Sequence, residues 1–229
     1  MTLNTSLDLL FMVNLGKSMS KYIKQEEIAS LLLEKIKNGV YLNYNAKNHS
    51  LYEYKELKKQ NIIRLPLIWH SIPERLTDLD NIKTCNTEYL IVLITTGQAS
   101  IGIFKDKENL EHKVIRKYMV RKKQGKSQIK YLKTKGKSRA GSRVRLNNSL
   151  LFFEEINEYL NKWNDNYDIC RVLYFVPKSL INLWFNSNIT PFFDKNDNRL
   201  IKIPYNLDTP SYELLKKVGK YAYDGEILT

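Results

Sequence analysis

The stretch EYLIVLITTGQASIGIFK, residues 88–105, decides the fold of this chain. Residues 88–96 form a compact apolar run, and residues 99–105 alternate between apolar and other side chains. This pattern predicts two antiparallel strands joined by a tight turn at Gly97-Gln98. Residues 113–121 alternate again, around Val114, Tyr118 and Val120, and predict a third strand in sequence.

Helices and strands alternate after these three strands. Five apolar residues at helical spacing predict a long helix at about 147–163, with one apolar face made of Leu150, Phe153, Ile156, Leu160 and Trp163. Beyond it we predict a strand at 171–176, a helix from Pro177 through Phe185, a strand at 200–203 and a last helix at 211–220. The order indicates an α/β fold in which helices pack on a mixed sheet.

The first 85 residues have a different texture. Apolar residues between Ile23 and Ile36 recur at helical spacing, with Ser20 as a candidate N-cap and Gly39 just beyond the end, and they predict a helix at 20–37. Residues 40–84 predict irregular structure and a short strand near 62–67. We therefore expect a mostly helical N-terminal region at 1–85 and a second domain at 86–229.

Tyrosines are frequent in the N-terminal region, at Tyr41, Tyr44, Tyr52 and Tyr54. An aromatic stripe of this kind is more often core or edge packing than a ligand site, so packing is the favoured interpretation. Ligand binding stays open as the less frequent alternative.

The composition is that of a globular chain. Of 229 residues, 43% are hydrophobic and 27% charged, and no apolar run reaches the roughly 18 residues of a membrane-spanning helix. The apolar residues 7–13 lack the basic flank of a signal peptide. Only two cysteines occur, Cys85 and Cys170, which we predict to be free thiols in a reducing compartment. The predicted localisation is cytoplasmic, with no membrane partner.

The positive charge is concentrated in one segment. The chain carries 37 lysines and arginines against 24 acidic residues, and 14 of the 37 lie between residues 113 and 145, where no acidic residue occurs. Outside this basic segment the balance is 23 basic against 24 acidic residues. A basic stretch without acids is typical of a face that binds a polyanion, and it predicts RNA binding. The residues that we assign to this role are Arg121, Lys122, Lys123, Lys130, Arg139, Arg143 and Arg145.

Several kinds of chemistry are disfavoured by spacing. The three histidines, His49, His70 and His112, are far apart, and no Cys-x-x-Cys or His-x-x-x-His motif occurs. A metal site is therefore not expected, and we predict no cofactor. Gly125-Lys126-Ser127 lacks the first glycine of a G-x-x-x-x-G-K-S phosphate-binding loop, since Val120 stands at that position, and no pair of acidic residues stands out for hydrolysis.

One long segment does resemble a known family. Its landmarks are Tyr118-Met119-Val120-Arg121, then Gly125-Lys126-Ser127-Gln128, then Ala140-Gly141-Ser142 and Arg145. In order and spacing they resemble the Vms-type release-factor-like (VLRF) domain family of ribosome quality control, over about residues 88–205. Two positions depart from the family pattern: Lys126 replaces the second loop glycine, and Val144 replaces a leucine.

The resemblance implies a fold similar to the middle domain of eukaryotic class-one release factors and to ribonuclease H. It also implies a ribosome-associated factor that frees nascent chains from peptidyl-tRNA on stalled large subunits. Gln128 would be catalytic, Gly125, Lys126 and Ser127 would shape its loop, and Gly141 and Ser142 would lie at the N-terminus of the long helix. Both ester hydrolysis and cleavage within the tRNA CCA end stay open.

The residues are compatible with this role. A carboxamide cannot titrate, so Gln128 would act by orienting the attacking group and stabilising developing charge. The expected partners are the large ribosomal subunit, rRNA and peptidyl-tRNA, with no DNA, and we expect a monomer off the ribosome. The alternative is a non-catalytic rRNA- or tRNA-binding module of ribosomal-protein type, which would use the same basic segment.

Overall fold

The computed structural model describes residues 20–55, 58–70, 72, 85–117 and 137–228, with the backbone alone at 20, 55, 58–60 and 137–149. Strands and helices cover most of this part of the chain. In order they are β1 (Ser20–Ile23), α1 (Gln25–Lys37), β2 (Tyr41–Asn45), β3 (Ser50–Lys55), β4 (Lys58–Arg64), β5 (Glu88–Thr95), β6 (Gln98–Lys105), β7 (Glu108–Arg116), α2 (Lys137–Asn166), β8 (Ile169–Phe175), α3 (Lys178–Phe185), β9 (Leu200–Lys202), α4 (Tyr212–Tyr223) and β10 (Gly225–Leu228).

The strands form two sheets of five. The central sheet has the order β7-β6-β5-β8-β9, in which β5, β6 and β7 are antiparallel neighbours and β8 runs parallel to both β5 and β9. The N-terminal sheet has the order β1-β10-β4-β3-β2 and is antiparallel throughout. The predicted α/β fold with a mixed sheet is confirmed.

The central sheet is buried on both faces, which explains the unbroken apolar run at its centre. Alternate residues of β5 face opposite ways. Leu90 and Val92 pack with α2 and α3, and Tyr89 and Ile91 pack with α4 and the N-terminal sheet. The core that contains Tyr89 and Ile91 also contains Ile28 of α1, so this core joins the N-terminal region to the central sheet. The division into two domains at residue 85 stays a prediction.

The described part of the N-terminal region contains four strands and one helix, so the expectation of a mostly helical region is wrong there. Ser20 lies in β1 and is not an N-cap, because the helix begins only at Gln25. Residues 41–45 alternate, with Leu42 and Tyr44 buried between more exposed neighbours, as a strand with one covered face requires. The strand predicted near 62–67 is β4, which begins earlier. Short strands rich in asparagine and lysine give a weak periodic signal, which is why they were missed.

The strand β10 was not predicted either, and it lies inside the N-terminal sheet between β1 and β4. Its first residue, Gly225, has no room for a side chain. A Cβ atom there would overlap Ile28 Cδ1 and lie 2.7 Å from the carbonyl oxygen of Arg64. The absence of a side chain at Gly225 thus lets α1 pack directly against β10.

Several boundaries in the second half of the chain differ from expectation. The third strand, predicted at 113–121, is β7 at Glu108–Arg116. The hairpin turn lies at Thr96-Gly97, one residue earlier than predicted, with Gly97 in the left-handed region at φ 78°. The long helix begins at Lys137, ten residues before the predicted start. Gly141 and Ser142, expected at the N-terminus of this helix, therefore lie in its second turn. Ser211 does cap α4, since its side chain accepts a hydrogen bond from the Leu214 N–H at 3.1 Å.

The two cysteines are joined in the structure. Cys85 precedes β5 and Cys170 lies in β8, with Cα atoms 5.8 Å apart, a separation typical of disulfides. This contradicts the prediction of two free thiols. Sequence distance gave no hint of the pairing, because β5 and β8 become neighbours only through the parallel arrangement of the sheet.

Candidate functional site

The predicted catalytic loop falls in residues 118–136, outside the residues that the structure describes. This segment contains Gln128 and its loop neighbours Gly125, Lys126 and Ser127. Four predicted RNA-binding residues lie there too, namely Arg121, Lys122, Lys123 and Lys130. The structure fixes the two ends of the segment, Lys117 after β7 and Lys137 at the start of α2.

The first end of the loop is held by two contacts of Lys117. Its backbone N–H donates to the Gly97 carbonyl at 2.9 Å, and its Nζ pairs with Glu155 Oε2 of α2 at 2.9 Å. Glu155 is about 27 Å along the helix from Lys137, at 1.5 Å per residue. Residues 118–136 can span roughly 60 Å when extended, which far exceeds the distance between Glu155 and Lys137 along the helix.

The other predicted residues lie in the first part of α2. Arg139, Gly141, Ser142, Arg143 and Arg145 are all in the helix, and three- and four-residue spacings put positions 139, 142 and 143 along one side of it. The first turn of α2 carries no acidic residue. Basic residues near a helix N-terminus oppose the helix dipole, so a bound polyanion would stabilise this end of α2.

The second half of α2 is clamped on one side by Asn157, which is fully buried. Its Nδ2 donates to the Trp184 carbonyl at 3.1 Å, to Ser187 Oγ at 2.9 Å and to the Ile189 carbonyl at 2.7 Å. Its Oδ1 accepts from Trp184 Nε1 at 2.8 Å. These bonds fix α2 against α3 and the turn that follows it.

Glu111 of β7 clamps the other side of α2. Its carboxylate accepts hydrogen bonds from the Tyr167 hydroxyl and from Trp163 Nε1, both at 2.7 Å. The same two bonds hold the pKa of the Glu111 carboxyl below its usual value. Together with the ion pair between Lys117 and Glu155, the bonds of Asn157 and Glu111 fix the position of α2 along its own axis. The loop ends at the first residue of this helix.

Charge reverses along α2. An open groove of about 540 Å³ runs between the second half of the helix and the end of β7, lined by Lys117, Leu151, Glu154, Glu155, Glu158, Tyr159 and Lys162. Its three carboxylates contrast with the basic, acid-free first part of the helix. Because Lys117 and Lys162 also line the groove, they offset much of its negative charge, and a polyanion is attracted to the loop end of α2 rather than to the groove.

Within the described ranges, no three His, Cys, Asp or Glu side chains come together in a way that could hold a metal ion. A search of the same residues found no helix with the length and apolarity that a membrane crossing requires.

The comparisons with known proteins identify the family. The sequence model described as "Bacteroidetes VLRF1 release factor" matches residues 89–224, more than half of the chain. The chain belongs to this release-factor family. It is also 26% identical over 181 residues to the tRNA endonuclease ANKZF1 of Mus musculus, covering 76% of this chain and 23% of the mouse protein. A solved structure titled "Vms1 mitochondrial localization core" is 13% identical, with a TM-score of 0.43, and covers 96% of this chain and 92% of that one.

The VLRF1 match confirms the resemblance predicted from the loop motifs. It begins in β5 and ends in α4, so it includes the central sheet, the loop segment and all of α2. Strands β1 to β4 and β10 lie outside it. This VLRF1 protein spans about a quarter of the length of its mouse relative.

Sequence reasoning missed the residues that position α2. Asn157 is a polar residue beside Ile156 on an otherwise apolar helix face, and that interruption was the one available signal. Glu111 gave none, since its partners lie more than fifty residues away in the chain.

Proposed function

We propose that this VLRF1 protein is a ribosome-associated factor that frees nascent chains from peptidyl-tRNA on stalled large ribosomal subunits. The observation that carries the proposal is the family match, which spans the segment containing the Gly125-Lys126-Ser127-Gln128 motif. We assign the catalytic role to Gln128 and the shaping of its loop to the other three residues.

The chemistry assigned to Gln128 is that of an uncharged hydrogen-bonding group. Its amide N–H and carbonyl oxygen would orient the attacking water or ribose hydroxyl and stabilise the charge that develops in the transition state. Such a group contributes little alone, so the ribosome and tRNA would supply much of the catalytic environment. Lys126 reduces backbone freedom where the family has a second glycine, and it adds a charge that faces RNA.

RNA recognition is assigned to the basic segment. Arg121, Lys122, Lys123, Lys130, Arg139, Arg143 and Arg145 would contact rRNA and tRNA phosphates, and Gly141 and Ser142 lie between the helical arginines. The reversal of charge along α2 supports this assignment, because the acidic groove disfavours RNA at the other half of the helix. We also propose a cytoplasmic location and a monomeric state off the ribosome, with the large subunit and peptidyl-tRNA as partners.

Both cleavage reactions remain within the proposal. Ester hydrolysis would leave the tRNA with an intact CCA end, whereas nuclease cleavage would leave a shortened one. The name of the mouse relative, a tRNA endonuclease, favours the second reaction. Sequencing the 3′ end of tRNA released from stalled 50S–peptidyl-tRNA complexes distinguishes the two.

We expect Gln128→Ala to abolish release while ribosome binding is retained. Loss of a hydrogen bond made in the transition state costs on the order of a hundredfold or more in rate, whereas phosphate contacts dominate affinity. The measurement is nascent-chain release from stalled 50S complexes. Gln128→Glu keeps the size of the side chain but faces RNA with a negative charge, and we expect it to be as inactive.

Gln124→Ala is the matched control, because it removes the same side chain four residues earlier. We expect this variant to release peptide at the wild-type rate. Wild-type activity in Gln128→Ala would refute the catalytic assignment. If the wild-type protein binds the complexes but releases nothing, the non-catalytic RNA-binding module is the correct function.

We expect the affinity for ribosomal RNA to fall steeply with salt, and replacement of Arg121, Lys122 and Lys123 by Ala to flatten this dependence. Each phosphate contact contributes about 0.7 to 0.9 to the slope of log affinity against log salt, so the triple variant should lose roughly 2 to 3. Filter binding at salt concentrations between about 50 and 200 mM measures the slope. A control triple, Lys178, Lys195 and Lys202 to Ala, removes three exposed charges outside the basic segment. Equal slopes in both triples would place the RNA face elsewhere.

A further inference from the structure

The N-terminal sheet carries a group of tyrosines on one face. Strands place successive side chains on opposite sides, and the cross-strand pairs Tyr41 with Tyr54 and Asn43 with Tyr52 put these four residues on the same side. Ile62 of β4 lies opposite Tyr52 and extends the same side. We call this surface, made of Tyr41, Asn43, Tyr52, Tyr54 and Ile62, the tyrosine face.

The two faces of this sheet differ sharply in burial. Leu42, Leu51 and Ile63 lie on the other face and are essentially fully buried in the core with α1. On the tyrosine face Tyr41 is 43% exposed, and the remaining four residues are partly exposed. The fourth tyrosine of the stripe, Tyr44, is buried at 8% exposure and lies on the other face of the sheet, so it is not part of this surface.

The rings are held in place by polar and aromatic contacts. Tyr41 and Tyr54 pack edge to face with ring centroids 6.1 Å apart, and the Tyr52 hydroxyl accepts a hydrogen bond from Asn48 Nδ2 at 2.8 Å. Tyr52 and Tyr54 are two residues apart on one strand, or about 6.8 Å. The rings are therefore ordered at a spacing that separates neighbouring flat ligands.

The charges around the face favour an anionic ligand. Lys47 is exposed at the β2–β3 turn, at one end of the face. The carboxylate in β3, Glu53, lies on the other face, where it pairs with Lys35 Nζ at 2.8 Å. Aromatic rings and an amide beside an exposed lysine match the chemistry of unpaired nucleotides.

We propose that the tyrosine face binds single-stranded RNA by stacking two or three unpaired bases on Tyr41, Tyr52 and Tyr54. Asn43 donates to and accepts from base edges, and Lys47 binds a phosphate. The site lies entirely outside residues 89–224, the part matched to the VLRF1 family. It is thus a second RNA contact, separate from the basic segment, and it does not depend on the proposed release activity.

The test compares two fluorescent strands of equal charge, a ten-nucleotide single-stranded RNA and its abasic counterpart, by anisotropy with the full chain. Phosphate contacts are the same for both strands, so a difference in affinity measures base stacking. We expect the RNA to bind at least tenfold more tightly than the abasic strand. Equal affinities for the two strands would overturn the proposal. A face that instead binds a second copy of this chain or a protein partner would also give equal affinities.

Two paired variants locate the effect. Tyr41→Thr with Tyr54→Thr removes the rings but keeps a residue suited to strands, and we expect its preference for the RNA to fall below twofold. Tyr41→Phe with Tyr54→Phe keeps the stacking surface and should keep the preference. A tenfold preference that survives in the Thr pair would overturn the proposal.

Cross-linking provides a readout that does not depend on the variants. A 4-thiouridine in the same RNA should cross-link to a peptide within residues 41–62 of the wild-type protein. Cross-links confined to residues 113–145 would overturn the proposal and assign the stacking to the basic segment.

Discussion

His49 is a buried histidine held in one state by its surroundings. It is 1% exposed and lies between the Tyr44 hydroxyl, 2.7 Å from Nδ1, and the Pro66 carbonyl, 3.0 Å from Nε2. Burial and the nearby charge of Arg171 lower the pKa of its imidazole to about 3. The folded protein therefore keeps His49 neutral at pH values where an exposed histidine is charged.

This predicts an acid-sensitive fold. Between the unfolded pKa near 6.5 and the folded value, the unfolded chain binds a proton that the folded chain does not, so the free energy of unfolding falls as pH decreases. The slope from this one group is at most about 1.4 kcal/mol per pH unit. Urea unfolding at pH 7.5 and 4.5 measures it, with a loss of about 2 to 3 kcal/mol assigned to His49.

The variant His49→Asn removes the titration. Asparagine tolerates the left-handed backbone that His49 adopts at φ 51°, so strain is kept small. We expect its stability to change less between the two pH values than that of the wild type. His112→Asn, at an exposed position, serves as the control and should behave like the wild type. An identical pH dependence in both variants would contradict the prediction.

Residue roles were predictable where they are local in sequence. The helix starts predicted at Pro177 and Ser211 depend on neighbours within one turn, and both residues are observed as N-caps, one position before the first helical residue. His49 and Asn157 depend on groups 17 and 27 to 32 residues away. Partners at such distances are fixed only by tertiary packing, which no local pattern encodes.

At the scale of elements, α2 shows the same division. The apolar spacing that predicted it is observed at Phe153, Ile156, Leu160 and Trp163, which are all buried. The start was missed because residues 137–146 are basic, contain Gly141 and show no apolar periodicity. A helix can continue beyond its apolar stripe when its other half is anchored by packing. In α2 the anchored half contains Asn157 and Trp163, which bond to α3 and to Glu111.

We expect Asn157→Ala to lower the free energy of unfolding by about 2 to 4 kcal/mol. The change leaves Trp184 Nε1 without its acceptor and removes the Nδ2 donor, although the Trp184 and Ile189 carbonyls keep the Ser187 hydroxyl as a partner. Each unpaired buried group costs about 1 to 3 kcal/mol. The measurement is urea unfolding at neutral pH.

Asn161→Ala is the control for this variant, since Asn161 makes a single side-chain bond, to the Thr190 carbonyl at 3.0 Å, near the surface. We expect it to cost less than about 1 kcal/mol. Equal losses in the two variants would mean that the network around Asn157 does not hold α2.

At the scale of the whole molecule, the disulfide links the segment before β5 to β8 across a sequence separation of 85 residues. Closing a loop of that size restricts the unfolded chain and stabilises the fold by about 4 to 5 kcal/mol in the chain-entropy account. We therefore expect a reductant to lower the urea midpoint of the wild type and to leave the Cys85→Ser, Cys170→Ser double variant unchanged. Two thiols that titrate in the native, unreduced protein would contradict the pairing.

The same scale explains why the N-terminal sheet escaped sequence analysis. Its strands come from both ends of the described chain, and its covered face includes the back of the central sheet, through residues such as Leu173. Runs like 88–95 identify themselves because both faces are buried. Strands such as 41–45, with one face partly open and many polar residues, need their partners before the pattern becomes visible.

The position of β10 also sets an order of events in biosynthesis. Residues 225–228 lie between β1 and β4, so neither strand can pair with β10 until these residues have been translated and have left the exit tunnel. The β2–β3–β4 ladder can form long before, because its strands are contiguous in sequence. A nascent copy of this chain thus emerges with Arg64 uncovered and with no strand between β1 and β4. The N-terminal sheet becomes continuous only when residues 225–228 emerge.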